Sequence, residues 1–288
     1  MTKQKFISWL LFFVLSLTWG SSFILMKKSA EHLNGLQIGA VRIFAAGICF
    51  FPFAIFHFRQ IPKNKFLGVI VSGLLGNLLP AFLFATAISE NGESSLASIL
   101  NSLTPLFVIV IGVFFFQAKV QSKKIGGVIV GFIGLVILSL LRKPISSNDN
   151  GVLLILIATV FYGTTVNIVA HYLKGIDGFK IATVSLAIMA IPAAIVMWQQ
   201  DVFPILKYDE GARLSIAFAV LLGVAGSAIA TALYYVLIQK AGGLFASLVT
   251  YAIPIVAIMW GLLVDEHITA LQLGCLAIIL VGVYLANR

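Results

Sequence analysis

Trp19-Gly20-Ser21-Ser22-Phe23, early in the chain, is answered by Tyr162-Gly163-Thr164-Thr165-Val166 in its second half. Further along, Leu96-Ala97-Ser98, a short apolar stretch and Thr104-Pro105 are answered by Phe245-Ala246-Ser247, the same stretch and Ile253-Pro254. The chain carries one pattern twice. Each copy holds five apolar segments, an odd number, so the second copy enters a bilayer from the side opposite to the first. An inverted repeat of this kind points to a site near the bilayer midplane, between the halves, as in many secondary transporters.

Composition agrees with a membrane chain. Hydrophobic residues make up 60% and charged residues 10%, with a mean hydropathy of +1.08. A soluble domain carries roughly 25% charged residues. A span needs about 20 apolar residues to cross a core about 30 Å thick. The expected fold is all-α and integral to the membrane. Ten spans are read at roughly 6–26, 35–57, 66–88, 94–116, 124–141, 151–171, 179–198, 213–238, 243–263 and 268–286. Residues 1–143 form the first repeat, 144–150 the connecting loop and 151–288 the second repeat. The linkers are short, so neighbouring helices form antiparallel hairpins.

The net charge of +9 does not build a nucleic-acid face, because the basic residues sit in alternate loops, where they set topology. With the N-terminus in the cytoplasm, that side carries twelve Lys and Arg against six outside, which puts both termini inside. Cys49 and Cys275 lie in apolar segments without metal or disulfide spacing. No metal or cofactor is expected. The expected partners are the bilayer and a small-molecule substrate, with monomer and homodimer both open. The apolar run from Phe6 continues to Met26 without a clear cleavage site, so it is read as the first span rather than a signal peptide.

Few residues inside the spans carry chemistry. Arg42 is the one basic residue well inside, about 10 Å along the second helix. It either contacts a substrate carboxylate or phosphate, or gates the path, or it snorkels or bonds a neighbouring helix's carbonyls. Its repeat counterpart is Ser185. Asn77 and Asn101 are read as polar lining, with interhelical bonding as the alternative, and Asn167 fits either role. Ser227 and Thr250 are weaker candidates, because a hydroxyl can bond its own helix. Trp19, Tyr162, Tyr234 and Tyr251 are aromatics placed to stack on or hydrogen-bond a substrate.

Pro105 and Pro254 occupy matching places in the fourth and ninth spans. Each removes a donor and frees the carbonyl four residues earlier, on Asn101 and Thr250. Matched bends in corresponding helices point to a transporter site and are read as hinges. Gly127 and Gly131 give a small-xxx-small pattern suited to close helix packing, with a dimer contact as the other use. Asp265 and Glu266 stand at the entry to the last helix, where acids favour its N-terminal end. Gln117 holds the position matching Glu266. No Asp or Glu lies deep in a span, which counts against a proton antiporter built on a membrane carboxylate. His32, His57, His171 and His267 are scattered over loops and helix ends, so no catalytic cluster is apparent and no enzyme is expected.

The order of Trp19-Gly20-Ser21-Ser22-Phe23, Arg42, Ala97-Ser98 to Pro105, and Asp265-Glu266, repeated over nearly the whole chain, resembles the EamA family of the drug/metabolite transporter superfamily. The resemblance implies a ten-helix carrier, often an exporter of amino acids or other small metabolites in a bacterial inner membrane. It also implies a central cavity lined by the first four helices of each half, approached by Trp19, Asn77, Asn101, Tyr162, Tyr234 and Tyr251. The rival activities are export of drugs or cationic amines and, in another class, an intramembrane enzyme acting on lipid. Gln117 and the Tyr162-Gly163 opening depart from the family pattern.

Overall fold

The computed structural model describes residues 3–91, 94–140, 150–262 and 270–287. Among these, all regular structure is helical. The first half contains α1 (Lys3–Ser29), α2 (Gly35–Phe58), α3 (Lys63–Gly73), α4 (Leu79–Asn91), α5 (Ser94–Asn101), α6 (Thr104–Phe116) and α7 (Ser122–Leu140). The second contains α8 (Asn150–Asn167), α9 (Gly178–Gln199), α10 (Val202–Tyr208), α11 (Glu210–Leu221), α12 (Ala230–Ala241), α13 (Gly243–Ser247), α14 (Val249–Leu262) and α15 (Ala270–Asn287). Three π-helical stretches continue helices without breaking them: Leu74–Leu78 joins α3 to α4, Ile168–Tyr172 extends α8, and Leu222–Ile229 joins α11 to α12.

Among the described residues, six helices are long and apolar enough to cross a membrane: Lys3–Ser29, Gly35–Phe58, Lys63–Glu90, Asn150–Tyr172, Gly178–Gln199 and Glu210–Ala241. Shorter apolar helices run over Thr104–Phe116, Gly243–Val256 and Ala277–Ala286. Outward faces are apolar as well as inward ones. Phe56 is 72% exposed and Phe115 79%, as expected of side chains that meet lipid.

Local sequence explains the ends. Asn34 and Gln37 form a capping box at α2, each side chain accepting from the other's backbone N–H at 2.9 Å. Gln37 Nε2 also donates to Gln200 O at 2.9 Å, tying the start of α2 to the end of α9. Asp177 caps α9 and Asp209 caps α11. Lys28 Nζ lies 2.7 Å from Glu31 in the turn after α1, and this hydrogen bond holds the Glu31 carboxyl below its usual range.

The halves interlock. α1 packs on α14 and α12, and its counterpart α8 packs on α6, α5 and α4. α2 lies along α9, and α7 along α15. The largest buried cluster draws residues from both halves, from Phe12 and Leu15 to Tyr251 and Ile279. The α7–α15 seam uses the glycines noted in sequence. A Cβ on Gly282 would collide with the backbone of Gly131, and one on Gly127 with the backbone of Ala286. The small-xxx-small pattern is therefore engaged within the chain.

Two features differ from the expected spans. The linker before α11 carries a helix of its own, α10. The fourth and ninth spans are also not simple proline kinks. α5 ends at Asn101, and a turn at Ser102 and Leu103 precedes α6, where Pro105 stands in the first turn. Proline is favoured there because its missing N–H is unpaired in any case. In the second half the interruption falls at Leu248, well before Pro254, which lies inside α14.

Candidate functional site

A central cavity enclosing about 850 Å³, its mouth included, lies between the halves. Its walls come from α1, α2, the α3–α4 segment, α5 and α6 on one side, and from α8, the α11–α12 segment and α14 on the other. Among the described residues, neither α7 nor α15 contributes. Nor does α9, against the expectation that the second helix of each half would line the cavity. Ser185 of α9, the repeat counterpart of Arg42, donates to its own helix at Ala182 O.

Arg42 enters the cavity from α2. Its Nε donates to Ser227 Oγ at 2.6 Å, and among the described residues no carboxylate pairs with it. Ser227 belongs to the π-helical stretch Leu222–Ile229, which approaches α2 closely: a Cβ on Gly223 would collide with Arg42 O. π-bulges commonly occur at functional sites. The matching stretch in the first half, Leu74–Leu78, carries Asn77 into the cavity. Asn77 is held on two sides. Thr231 Oγ1 donates to its Oδ1 at 2.8 Å, and its Nδ2 donates to the Tyr235 hydroxyl at 3.4 Å. The Tyr235 hydroxyl in turn donates to Ser72 O at 3.3 Å.

The aromatic residues divide. Trp19 lies edge-on to Tyr234, with ring centroids 4.9 Å apart, and its indole N–H donates to Gly226 O at 2.9 Å. Tyr162 stacks on Phe84 at 5.9 Å. All four line the cavity. Tyr251 does not. Its ring lies where a Cβ on Gly131 would stand, and its hydroxyl donates to Val128 O at 2.9 Å, so it braces α14 against α7. Its position beside cavity-lining Thr250 turns it to the other side of the helix.

Asn101 also lines the cavity, at the end of α5. The carbonyls of Asn101 and Thr250, four residues before the two prolines, are both satisfied by hydroxyls. Thr104 Oγ1 donates to Asn101 O at 2.6 Å, and Ser102 Oγ donates to Thr250 O at 2.9 Å across the two halves. Asn167 is structural towards this cavity: its Nδ2 donates to Val108 O and Gly163 O, joining α8 to α6. Thr250 Oγ1 bonds its own helix at Ser247 O. Gln117 ends α6 in the left-handed region at φ 52°. His57 Nδ1 lies 2.9 Å from Thr183 Oγ1, a contact between α2 and α9. Asp265, Glu266 and His267 lie outside the described residues.

The sequence reading missed Thr165, Thr231 and Ser102. Thr165 Oγ1 is buried, lines the cavity and has no hydrogen-bond partner among the described residues. A signal for it existed: it occupies the place of Ser22 in the repeated opening motif, and Ser22 lines the cavity too.

The model of the EamA-like transporter family matches residues 6–140 and again 149–288. The chain belongs to the EamA-like transporter family. It is thus a multi-pass membrane protein of a family of transporters. An uncharacterized transporter of Archaeoglobus fulgidus is 25% identical over 286 residues, which cover 96% of this chain and 98% of that one. The uncharacterized inner membrane transporter YedA of Escherichia coli strain K12 is 26% identical over 286 residues, covering 96% and 89%. A probable amino-acid metabolite efflux pump of Salmonella typhimurium is 28% identical over 121 residues, covering 42% and 38%. A crystal structure sharing 16% identity matches with a TM-score of 0.69 over 97% of this chain and 96% of the other, which shows the fold.

Proposed function

We propose that this EamA-like transporter exports amino acids or related zwitterions across the inner membrane by alternating access, with both termini in the cytoplasm. Arg42 carries the reading. A guanidinium inside a membrane domain is costly, and this one has a single hydroxyl partner and no counter-ion among the described residues. A substrate carboxylate fits its fork-shaped donors. Asn77, Asn101 and the Thr165 hydroxyl, which has no partner among the described residues, supply polar contacts, and Trp19, Tyr162 and Tyr234 supply apolar and aromatic surface. No Asp or Glu among the described residues lines the cavity, which counts against organic cations as substrates. The relatives named as inner membrane transporter and as amino-acid metabolite efflux pump support the same location and substrate class. The turn before Pro105 and the interruption at Leu248, ahead of Pro254, serve as the hinges, with the halves rocking about the cavity.

The test is efflux from proteoliposomes loaded with mixed radiolabelled amino acids, with and without a proton gradient. Protein-dependent efflux supports the assignment, and its response to the gradient decides coupling. Arg42→Ala removes charge-assisted hydrogen bonds worth about 1.5–3 kcal/mol, so KM rises about 10- to 100-fold. No efflux of any amino acid from vesicles holding folded protein would sink the substrate assignment.

A further inference from the structure

The two ends of the bundle differ in charge. At the end holding the start of α1, Gln4 Nε2 donates to Lys240 O at 3.2 Å, and Lys65 Nζ to Tyr172 O at 2.7 Å. Lys119, Lys124, Lys174 and Lys180 stand at helix ends on the same side, as the short connections between helices require. Asp177 is the one acid there among the described residues, and its carboxylate is occupied by the N–H groups of Phe179 and Lys180. The described acids Glu31, Glu90, Asp201, Asp209 and Glu210 all stand in connections or terminal helix turns at the opposite end.

A second cavity, about 750 Å³ with its opening, lies at this lysine-bearing end. Lys119 and Lys124 line it where α6 hands over to α7, and His171 lines it at the end of the π-helical stretch after α8. His171 packs beside Phe116, with ring centroids 5.7 Å apart and the planes inclined at 30°. Asn167 also lines it, and the rest of the wall is mostly apolar, with Val108, Phe245 and Ala286 buried along it. No acidic residue among those described lines the cavity, and neither lysine is ion-paired among the described residues.

Two ammonium groups without a counter-ion among the described residues, above a mostly apolar wall at the level where helices end, match a phosphate carried on a carbon chain. A free phosphate would use only the lysines, while the apolar side chains of Val108, Ile109, Leu244 and Phe245 beside them suit the carbon chain that a lipid phosphate carries. We propose that this cavity binds a phosphate-bearing anion, and that the anion is the headgroup of an anionic phospholipid from the adjoining leaflet. The walls come from α6 and α7 in the first half and from the end of α8, α13 and α15 in the second, so the bound lipid links the halves at this end. The inference rests on this cavity alone and is independent of the substrate taken by the central one.

The test is native mass spectrometry of the full chain in detergent, titrated with phosphatidylglycerol and, as the zwitterionic control, phosphatidylcholine. Lysines near an anionic surface contribute about fivefold each to affinity, so Lys119→Gln with Lys124→Gln weakens phosphatidylglycerol binding about thirtyfold. Lys123→Gln, on the same turn but outside the cavity, leaves it unchanged. The double variant Lys119→Arg with Lys124→Arg retains binding, which separates charge from folding. Inorganic phosphate is added as competitor. Failure of phosphate to displace the lipid identifies the lipid as the occupant, and displacement by phosphate keeps the phosphate site but assigns it to a soluble anion. Equal phosphatidylglycerol binding by wild type and the double Gln variant, or equal preference of wild type for the two lipids, overturns the proposal.

Discussion

Ser102→Ala should destabilise this transporter in a way that depends on Pro254. Pro254 has no N–H to offer the carbonyl four residues earlier, on Thr250. Ser102 Oγ, fully buried, donates to that carbonyl at 2.9 Å from the opposite half of the molecule. An interhelical hydrogen bond in a membrane contributes about 0.6 kcal/mol on average and about 1.7 at most. A buried acceptor left without a partner costs about 1–3 kcal/mol. The Thr250 carbonyl has no helical donor to fall back on, so the loss lies towards the upper part of the first range, about 1.5 kcal/mol. In a Pro254→Ala background the backbone regains an N–H at that position, which restores the helical bond to Thr250 O. Ser102→Ala then costs about 0.5 kcal/mol or less. The coupling is about 1 kcal/mol, larger than the roughly 0.3–0.5 kcal/mol within which independent sites add. The measurement is a double-mutant cycle by reversible unfolding in mixed micelles as the SDS fraction rises. Equal destabilisation by Ser102→Ala in both backgrounds would refute the idea that the serine answers the proline.

Three further outcomes are expected. Thr165→Val keeps the side chain's shape but removes a hydroxyl with no partner among the described residues, so stability holds or rises by about 1 kcal/mol while KM for the transported substrate rises at least about fivefold; a stable variant with unchanged KM removes Thr165 from the site. Gly282→Ala drives a methyl into the Gly131 backbone and costs about 1–3 kcal/mol, visible as a lower unfolding temperature in detergent, whereas Gly126→Ala, with no neighbour within 4 Å, is neutral or slightly stabilising. Gln117→Gly relieves a left-handed residue at the end of α6 and raises thermal stability by about 0.5–1 kcal/mol; a fall instead would mean that the glutamine side chain makes a contact that matters more than its backbone.

The repeat and the residues that line the cavity were readable to different degrees. The paired opening motifs and the polar positions Arg42, Asn77 and Asn101 stand out because polar groups are rare in these spans and expensive to bury. Tyr251 misled because its neighbour Thr250 lines the cavity, while its own ring turns to Gly131 and Val128. Thr165 and Ser102 escaped because a lone hydroxyl in an apolar helix is ordinarily satisfied by its own turn, as Ser22 and Ser185 are here; Ser102 Oγ too lies 3.1 Å from Ser98 O, while it also reaches Thr250 O in the other half. Which hydroxyls depart from that habit depends on what lies across the helix interface.

The sequence by itself determined the membrane class, the internal repeat and the scarce polar residues, because these depend on composition, segment length and order along the chain. Tertiary structure alone decided which face of each helix looks inward. A helix that meets lipid on one side and apolar neighbours on the other is hydrophobic all round, so its periodicity carries no direction. The π-helical stretches that present Asn77 and Ser227, the bond from Ser102 to Thr250 and the close seam of Gly131 with Gly282 each join residues from distant parts of the chain. Their geometry exists only once the two halves have interlocked, since each half supplies the partners that the other's helices lack.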